Sequence, residues 1–409
     1  MPSCPPGEVI IVGFEIVREK LEQAVGVLEE KDIDLWLTFV RETSQVKDPC
    51  LDLLLGLDLT WTSALMVSRT GERTAIVGRF DVENVKRTGG YATVVGYDQS
   101  IRELLLEHLS RLNPRQVALN FSESDPAADG LTHGLFRVLT KILSGTEYGR
   151  CLISAEALVG ALRGRKSPAE VARIQAAIQV TEAIFRRAGE WIRPGVTDQE
   201  VAHWFYTAVQ QEGLEPGWEA GHCPTVTVGP DAPVGHAMPG GFTLKRGHLL
   251  QVDFGVRKDG FVSDLQRTWY VLGERETMPP PEVVAGWEAA RGAFEAGRAA
   301  LRPGVRGWEV DQAARQALVQ AGYPEFMHAF GHHVGRSAHD GATVLGPRWE
   351  RYGTSIEGVV EAGNVFAIEL GVQVPGRGYI GCEEDVLVTS QGAEYLSEPQ
   401  AELDVIRNS

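Results

Sequence analysis

One block of this 409-residue chain occurs twice. Arg246-Gly247-His248-Leu249-Leu250-Gln251-Val252-Asp253-Phe254-Gly255-Val256 matches Ala362-Gly363-Asn364-Val365-Phe366-Ala367-Ile368-Glu369-Leu370-Gly371-Val372 in its glycines, its apolar positions and its acid. Upstream of each block stands a second match. Ile192-Arg193-Pro194-Gly195-Val196, with Glu200 and Val201, parallels Leu301-Arg302-Pro303-Gly304-Val305, with Glu309 and Val310. Each opens an apparent helix, and Thr197 with Glu200 makes a capping box for the first. Two matched blocks in the same order indicate a duplication. Two helix-then-hairpin halves imply a pseudo-twofold domain with a shared site on its axis.

The hairpins set which residues meet there. Residues 249–256 read as a strand and 261–271 as its antiparallel partner, joined by Asp259-Gly260, a strong two-residue turn signal. That turn pairs Lys258 with Phe261, and so Gly255 with Asp264 and Asp253 with Gln266. Alternation then puts Asp253 and Asp264 on one face as diagonal neighbours. The second hairpin turns at Pro375-Gly376-Arg377-Gly378, and its return strand carries Glu383. An odd-numbered loop sets Glu369 opposite Glu383. A four-residue loop puts them on opposite faces and requires a bulge or another register.

Asp is disfavoured in strands, so acids inside apolar runs call for a function. Asp253, Asp264, His332, Glu369 and Glu383 supply four carboxylates and one imidazole. Such hard-to-borderline ligands suit two divalent cations in one site. Four negative charges balance two such ions and leave a bound water acidic near neutral pH. The set points to metal-assisted hydrolysis.

Four motifs carry a family resemblance: DFG…SDxxRT (253–268), GHHVG (331–335), AIELG (367–371) and EEDVLVT (383–389). Together they are specific, although each alone is weak. Residues 165–409 resemble the pita-bread metallopeptidases, which include methionine aminopeptidase, aminopeptidase P and prolidase. The resemblance implies an α/β N-terminal domain, creatinase-like with a mixed sheet, over residues 1–160. An α+β pseudo-twofold pita-bread catalytic domain follows over 165–409. Short strands are expected at 35–39, 63–67, 74–77, 92–95 and 116–119, with helices at 14–30 and about 101–112. Arg163 to Lys166 is expected to close the linker. Ser167 and Glu170 form a capping box that opens a long helix.

Site roles follow from the resemblance. Asp253 is expected to chelate one metal, Asp264 and Glu383 to bridge both, and His332 and Glu369 to complete the second site. Glu369 also handles the proton of the bridging water. Glu383 is chosen over Glu384 because it stands six residues before Thr389, as in the family pattern. His236 matches a substrate-contacting histidine, and His339 one that binds the substrate carbonyl. His328 resembles a position found in prolidase and aminopeptidase P. His222 and His333 are expected to be structural or to support the ligands from behind. The implied cofactor is two divalent ions: manganese first, with cobalt or zinc as alternatives. The implied activity is that of an Xaa-Pro dipeptidase (prolidase), cleaving the imide bond before proline with a metal-bridging hydroxide. The alternatives are an aminopeptidase P acting on longer peptides and a non-catalytic pita-bread module that binds peptides or proteins.

Some positions depart from the family pattern. Leu370 replaces a proline, Gly381 an arginine and His333 a small residue. Ser355 stands where prolidases hold an arginine for the dipeptide carboxylate. Arg348 and Arg351 are nearby substitutes. The segment 41–48 reads as a polar surface loop. In a homodimer it is a candidate cover for the partner's site, with Arg41 as a carboxylate ligand.

The rest of the composition narrows the partners. A net charge of −16 argues against nucleic acid or anionic membranes. The five scattered cysteines lack CxxC spacing and suggest reduced thiols. The apolar run 9–14 is too short for a secretion signal, and no run approaches a membrane span. A cytoplasmic enzyme is expected.

Overall fold

A computed structural model describes residues 14–235 and 237–407. The chain forms two compact units that divide between Leu162 and Arg163. The division falls inside the helix Glu156–Gly164, so the expected linker end at Arg163 begins as helix instead. The apolar spacing of 156–162 packs Leu158, Val159 and Leu162 into the first unit's core, which explains the helix.

The first unit holds a mixed six-stranded sheet. Its order is Thr93–Tyr97, Arg73–Gly78, Ser63–Ser68, Leu35–Val40, Val117–Leu119, Leu152–Ser154. The strand Leu35–Val40 is buried throughout, and its alternate residues feed two cores: Trp36 and Val40 on one side, Leu35, Leu37 and Phe39 on the other. A strand covered on both faces reads as a continuous apolar run. The segment 41–48 is irregular, yet Thr43 and Asp48 are buried. Asn120 donates to Asp48 at 2.9 Å, and Thr43 accepts from the Leu59 amide at 2.8 Å. Arg41 is exposed.

The second unit is built on the repeat. A nine-stranded sheet contains the path Val344–Leu345, Gly331–His333, Val365–Val374, Gly378–Thr389, Leu265–Val271, Leu249–Phe254, Thr225–Val228. The two halves meet where Gly378–Thr389 adjoins Leu265–Val271, and each duplicated strand lies one place outward. The helices Pro168–Trp191 and Asp198–Gln211 match Pro281–Ala300 and Gly307–Gln320. The backbone repeats in detail. Gly195 N–H donates to Leu244 O, and Leu244 N–H to Val196 O; Gly304 N–H donates to Val360 O, and Val360 N–H to Val305 O. Gly247 and Gly363 both adopt positive φ, at 79° and 89°. Thr197 and Glu200 form the expected capping box, whereas in the second half Glu309 alone reaches back to the Arg306 amide, at 2.7 Å.

Two matched glycines explain the close strand packing around the acids. A Cβ at Gly255 would lie 1.8 Å from Ser263 O, and one at Gly371 would lie 2.2 Å from Ile380 O. Both obstacles are backbone carbonyls of the facing segment, which cannot move aside cheaply. Gly255→Ala is therefore expected to cost at least about 3 kcal/mol, read as a lowered urea midpoint. A midpoint unchanged from the parent would contradict this packing.

Candidate metal centre

The first hairpin keeps its expected register. Lys258 pairs with Phe261, and Gln266 with Asp253. The turn residues Asp259 and Gly260 have φ of 50° and 81°, as a two-residue turn with left-handed residues requires. The ladder is interrupted at Gly255, Ser263 and Asp264. Asp264 therefore leaves the strand line while staying on the side of Asp253. Its backbone amide donates to Asp385 Oδ2 at 3.1 Å.

The second hairpin resolves the loop question. Val374 pairs with Gly378, so the turn contains Pro375, Gly376 and Arg377 alone. This odd loop sets Glu369 directly opposite Glu383. Glu384 points to the other face, where Arg267 pairs with it at 3.1 and 3.2 Å. His332 lies on the short strand Gly331–His333 beside Ala367. Its Nδ1 lies 2.9 Å from Ala338 O. A proton on Nδ1 donates to that carbonyl and leaves the Nε2 lone pair as the ligand atom, facing Asp264 at 3.9 Å.

Asp253, Asp264, His332, Glu369 and Glu383 all line one cavity of about 400 Å³. Ligand atoms of Asp264, His332 and Glu383 lie within 4.8 Å of one another. Asp253 shares a hydrogen bond with Asp264, and Glu369 adds its charge to the group. Two carboxyls share a hydrogen bond only when one holds a proton. Among the described residues, no lysine or arginine pairs with these four acids, and Asp253 Oδ1 and Glu383 Oε2 have no hydrogen-bond partner. Burial, then the charge of Glu369, pushes Asp253 up to about 8. Burial pushes Glu369 up to about 7, offset in part by a hydrogen bond from Gln266. Burial and neighbouring carboxylates hold Asp264 and Glu383 well above the ordinary range. Oxygen ligands aimed together, lacking a cation and retaining protons, fit divalent metal.

The other expected residues fall into two groups. His328 and His339 line the same cavity, and the His339 ring stands edge-on to His332 at 4.4 Å between centroids. His236 lies outside the described residues. Arg348 and Arg351 do not line the cavity. Arg348 lies over Trp308 and 3.4 Å from Glu357, while Arg351 donates to Met327 O and stacks on Trp349 and Tyr352. His333 stacks on Phe366, and burial pushes its imidazole down to about 3, so it stays neutral. Cys223 and Cys382 are buried thiols pushed up to about 12, also by burial.

Several cavity residues were not anticipated. Trp218, Gln251, Gln266, Phe326 and Tyr379 line it. Tyr379 fits because Gly371, across the ladder, has no side chain: a Cβ there would meet the tyrosine hydroxyl at 2.3 Å. Asp340 anchors the loop after His339. Burial alone would raise its pKa, but Lys166 and Arg163 outweigh it and hold the carboxyl well below the usual range. Alternation was the available signal for two residues: Asp385 shares a face with Glu383, and Gln266 opposes Asp253.

These charges predict a pH signature. A raised folded-state pKa means the folded protein holds protons the unfolded chain has released, so stability falls as pH rises through that pKa. Chelator-treated protein is expected to lose thermal stability as pH rises through about 7 to 8, where Glu369 and Asp253 release their protons. Added Mn²⁺ is expected to abolish that slope. A melting temperature equally flat with and without metal would contradict the assignment.

The family model "Metallopeptidase family M24" matches residues 172–390. An uncharacterized peptidase of Staphylococcus aureus (strain bovine RF122 / ET3-1) is 26% identical over 349 residues, covering 82% of this chain and 87% of the relative. The Xaa-Pro dipeptidase from Bacillus anthracis has the same fold, with a TM-score of 0.72 at 23% identity over 95% of this chain and 100% of that one. The X-Pro aminopeptidase from Thermotoga maritima MSB8 gives 0.68 at 22% over 94% and 99%. No helix among the described residues is long and apolar enough to cross a membrane. With the family model spanning more than half of its length, the chain belongs to metallopeptidase family M24.

Proposed function

We propose that this peptidase is an Xaa-Pro dipeptidase that works with two divalent cations. The observation that carries the reading is the convergence of Asp253, Asp264, His332, Glu369 and Glu383 in one cavity with His328 and His339. Asp253 and Asp264 would hold one ion, His332 and Glu369 the other, with Asp264 and Glu383 shared. Oxygen-rich ligands favour manganese. When bound, the ions supply an acidified water and a positive field for the substrate carbonyl.

The chain's own groups do the rest. Glu369 takes a proton from the attacking water and returns it to the leaving proline nitrogen. His339, beside His332, donates a hydrogen bond to the carbonyl oxygen as negative charge develops there. Trp218, Val234 and Phe326 give the cavity an apolar wall suited to a pyrrolidine ring. The substrate's free amino group would lie near the carboxylates, which limits cleavage to the first peptide bond. The names of the structural relatives support an Xaa-Pro preference. One observation favours a second reading, an Xaa-Pro aminopeptidase: Val234, at the cavity edge, is 44% exposed, so a longer peptide has a route out.

Substrate length tests the reading. The Mn²⁺-loaded enzyme is expected to cleave an Xaa-Pro dipeptide, to leave an Xaa-Pro-Xaa tripeptide intact and to stop on chelation. His339→Ala is expected to lower kcat about 10²- to 10³-fold with metal binding retained. Tripeptide cleavage would select the aminopeptidase, and hydrolysis of neither substrate would reject both readings.

A further inference from the structure

At the junction of the two half-sheets lies a residue that belongs to neither hairpin's acid set. Gln266 pairs across the ladder with Asp253 on one side and Glu383 on the other. Its side chain is buried and lines the metal cavity. Its Nε2 lies 3.2 Å from Glu369 Oε2, and its Oε1 lies 2.9 Å from Gln251 Nε2. The amide orientation follows from chemistry. With a cation bound, Glu369 would be ionised and would only accept hydrogen bonds, so the NH₂ group faces it. The carbonyl then faces Gln251, which presents a donor to it. Gln251 is also buried.

Room for this arrangement comes from Gly381. A Cβ there would stand 2.2 Å from Gln266 Oε1 and 2.9 Å from Gln251 Cγ. Thr268 holds that glycine in place: its hydroxyl donates to Gly381 O at 2.8 Å and accepts from Gly381 N–H at 3.1 Å.

We propose that Gln266 is a positioning residue that fixes the Glu369 carboxylate toward the metal pair, with Gln251 setting its amide orientation and Gly381 leaving the space. Gln266 occupies one lone-pair direction of Oε2 and so restricts the rotation of the carboxylate. The remaining lone pairs are presented to the cation and the water. Without the Gln251 donor the amide can flip and turn its carbonyl against the carboxylate. Hydrogen-bond partners of metal ligands commonly matter at this level, and their loss costs about 10- to 100-fold in affinity or activity.

The inference rests on Glu369 acting as a metal ligand, so the full-length wild-type chain is titrated first with Mn²⁺ by calorimetry. Two sites are expected. Gln266→Ala is then expected to weaken one of them by about 10- to 100-fold and to lower kcat with little change in KM. Gly381→Ala keeps both amides and is expected to reproduce that loss by displacing Gln266. Gln251→Met is expected to act in the same direction more weakly. The melting temperature of each metal-free variant separates this from misfolding, and Gly381→Ala and Gln251→Met keep the test open should Gln266→Ala fail to fold. Variants that bind both ions as tightly as the wild type, at unchanged kcat, would overturn the role of Gln266 alone. A wild-type chain that binds no Mn²⁺ would overturn the ligand assignment and this inference with it.

Discussion

Four carboxylates face one another in a cavity where, among the described residues, no lysine or arginine offsets them. In a medium less polarisable than water that repulsion is severe, and the protein relieves it by keeping protons on acids that are normally ionised. The strain is the price of a site prepared for cations. Divalent cations bound there would remove the repulsion, displace the protons and give the acids a common partner. Metal binding, proton release and stability are therefore one coupled equilibrium. The paired strands of the second unit hold those oxygens at fixed separation.

Duplication supplies the rigidity. Each half delivers one acid from its outer strand and one from its inner strand or the break beside it. The halves meet at a junction where Gln266 and Glu383 pair. Gly255 and Gly371 let partner backbones approach each acid-bearing strand more closely than any side chain allows. His332 belongs to the same frame, whereas His339 comes from a loop outside it. His332 sits on a short strand beside Ala367, and the loop that carries His339 is clamped through Asp340 by Lys166 and Arg163. The acids and His332 are thus set by strand register and the His339 loop by a buried ion cluster, two devices that converge on one cavity.

Much of this was legible in the residues because strand geometry has a strict period. Turn chemistry at Asp259-Gly260 fixed the first register, and alternation put Asp253 and Asp264 together. The second register was open because loop length cannot be counted from Pro375-Gly376-Arg377-Gly378 without knowing that Gly378 pairs. Gln266 and Asp385 were within reach of the same alternation, but a glutamine or a third consecutive acid does not announce a site. Trp218, Phe326 and Tyr379 reach the cavity from separate segments, and no local pattern shows such tertiary convergence. Arg348 and Arg351 were candidates on proximity in sequence, yet aromatic rings, Glu357 and a backbone carbonyl occupy their guanidinium groups. In the first unit, five of the six strands were readable from apolar runs, and the short strand Leu152–Ser154 was not. Arg163, expected to close the linker, instead lies in the last turn of the helix Glu156–Gly164.

The account stands on the claim that the acid cluster is a two-ion centre. The most direct measurement is anomalous diffraction at the manganese edge from crystals soaked in Mn²⁺. The account predicts two peaks in the cavity, both within bonding distance of Asp264 and Glu383, with His332 and Asp253 each touching only one. A single peak, or manganese bound elsewhere with the cavity empty, would contradict it.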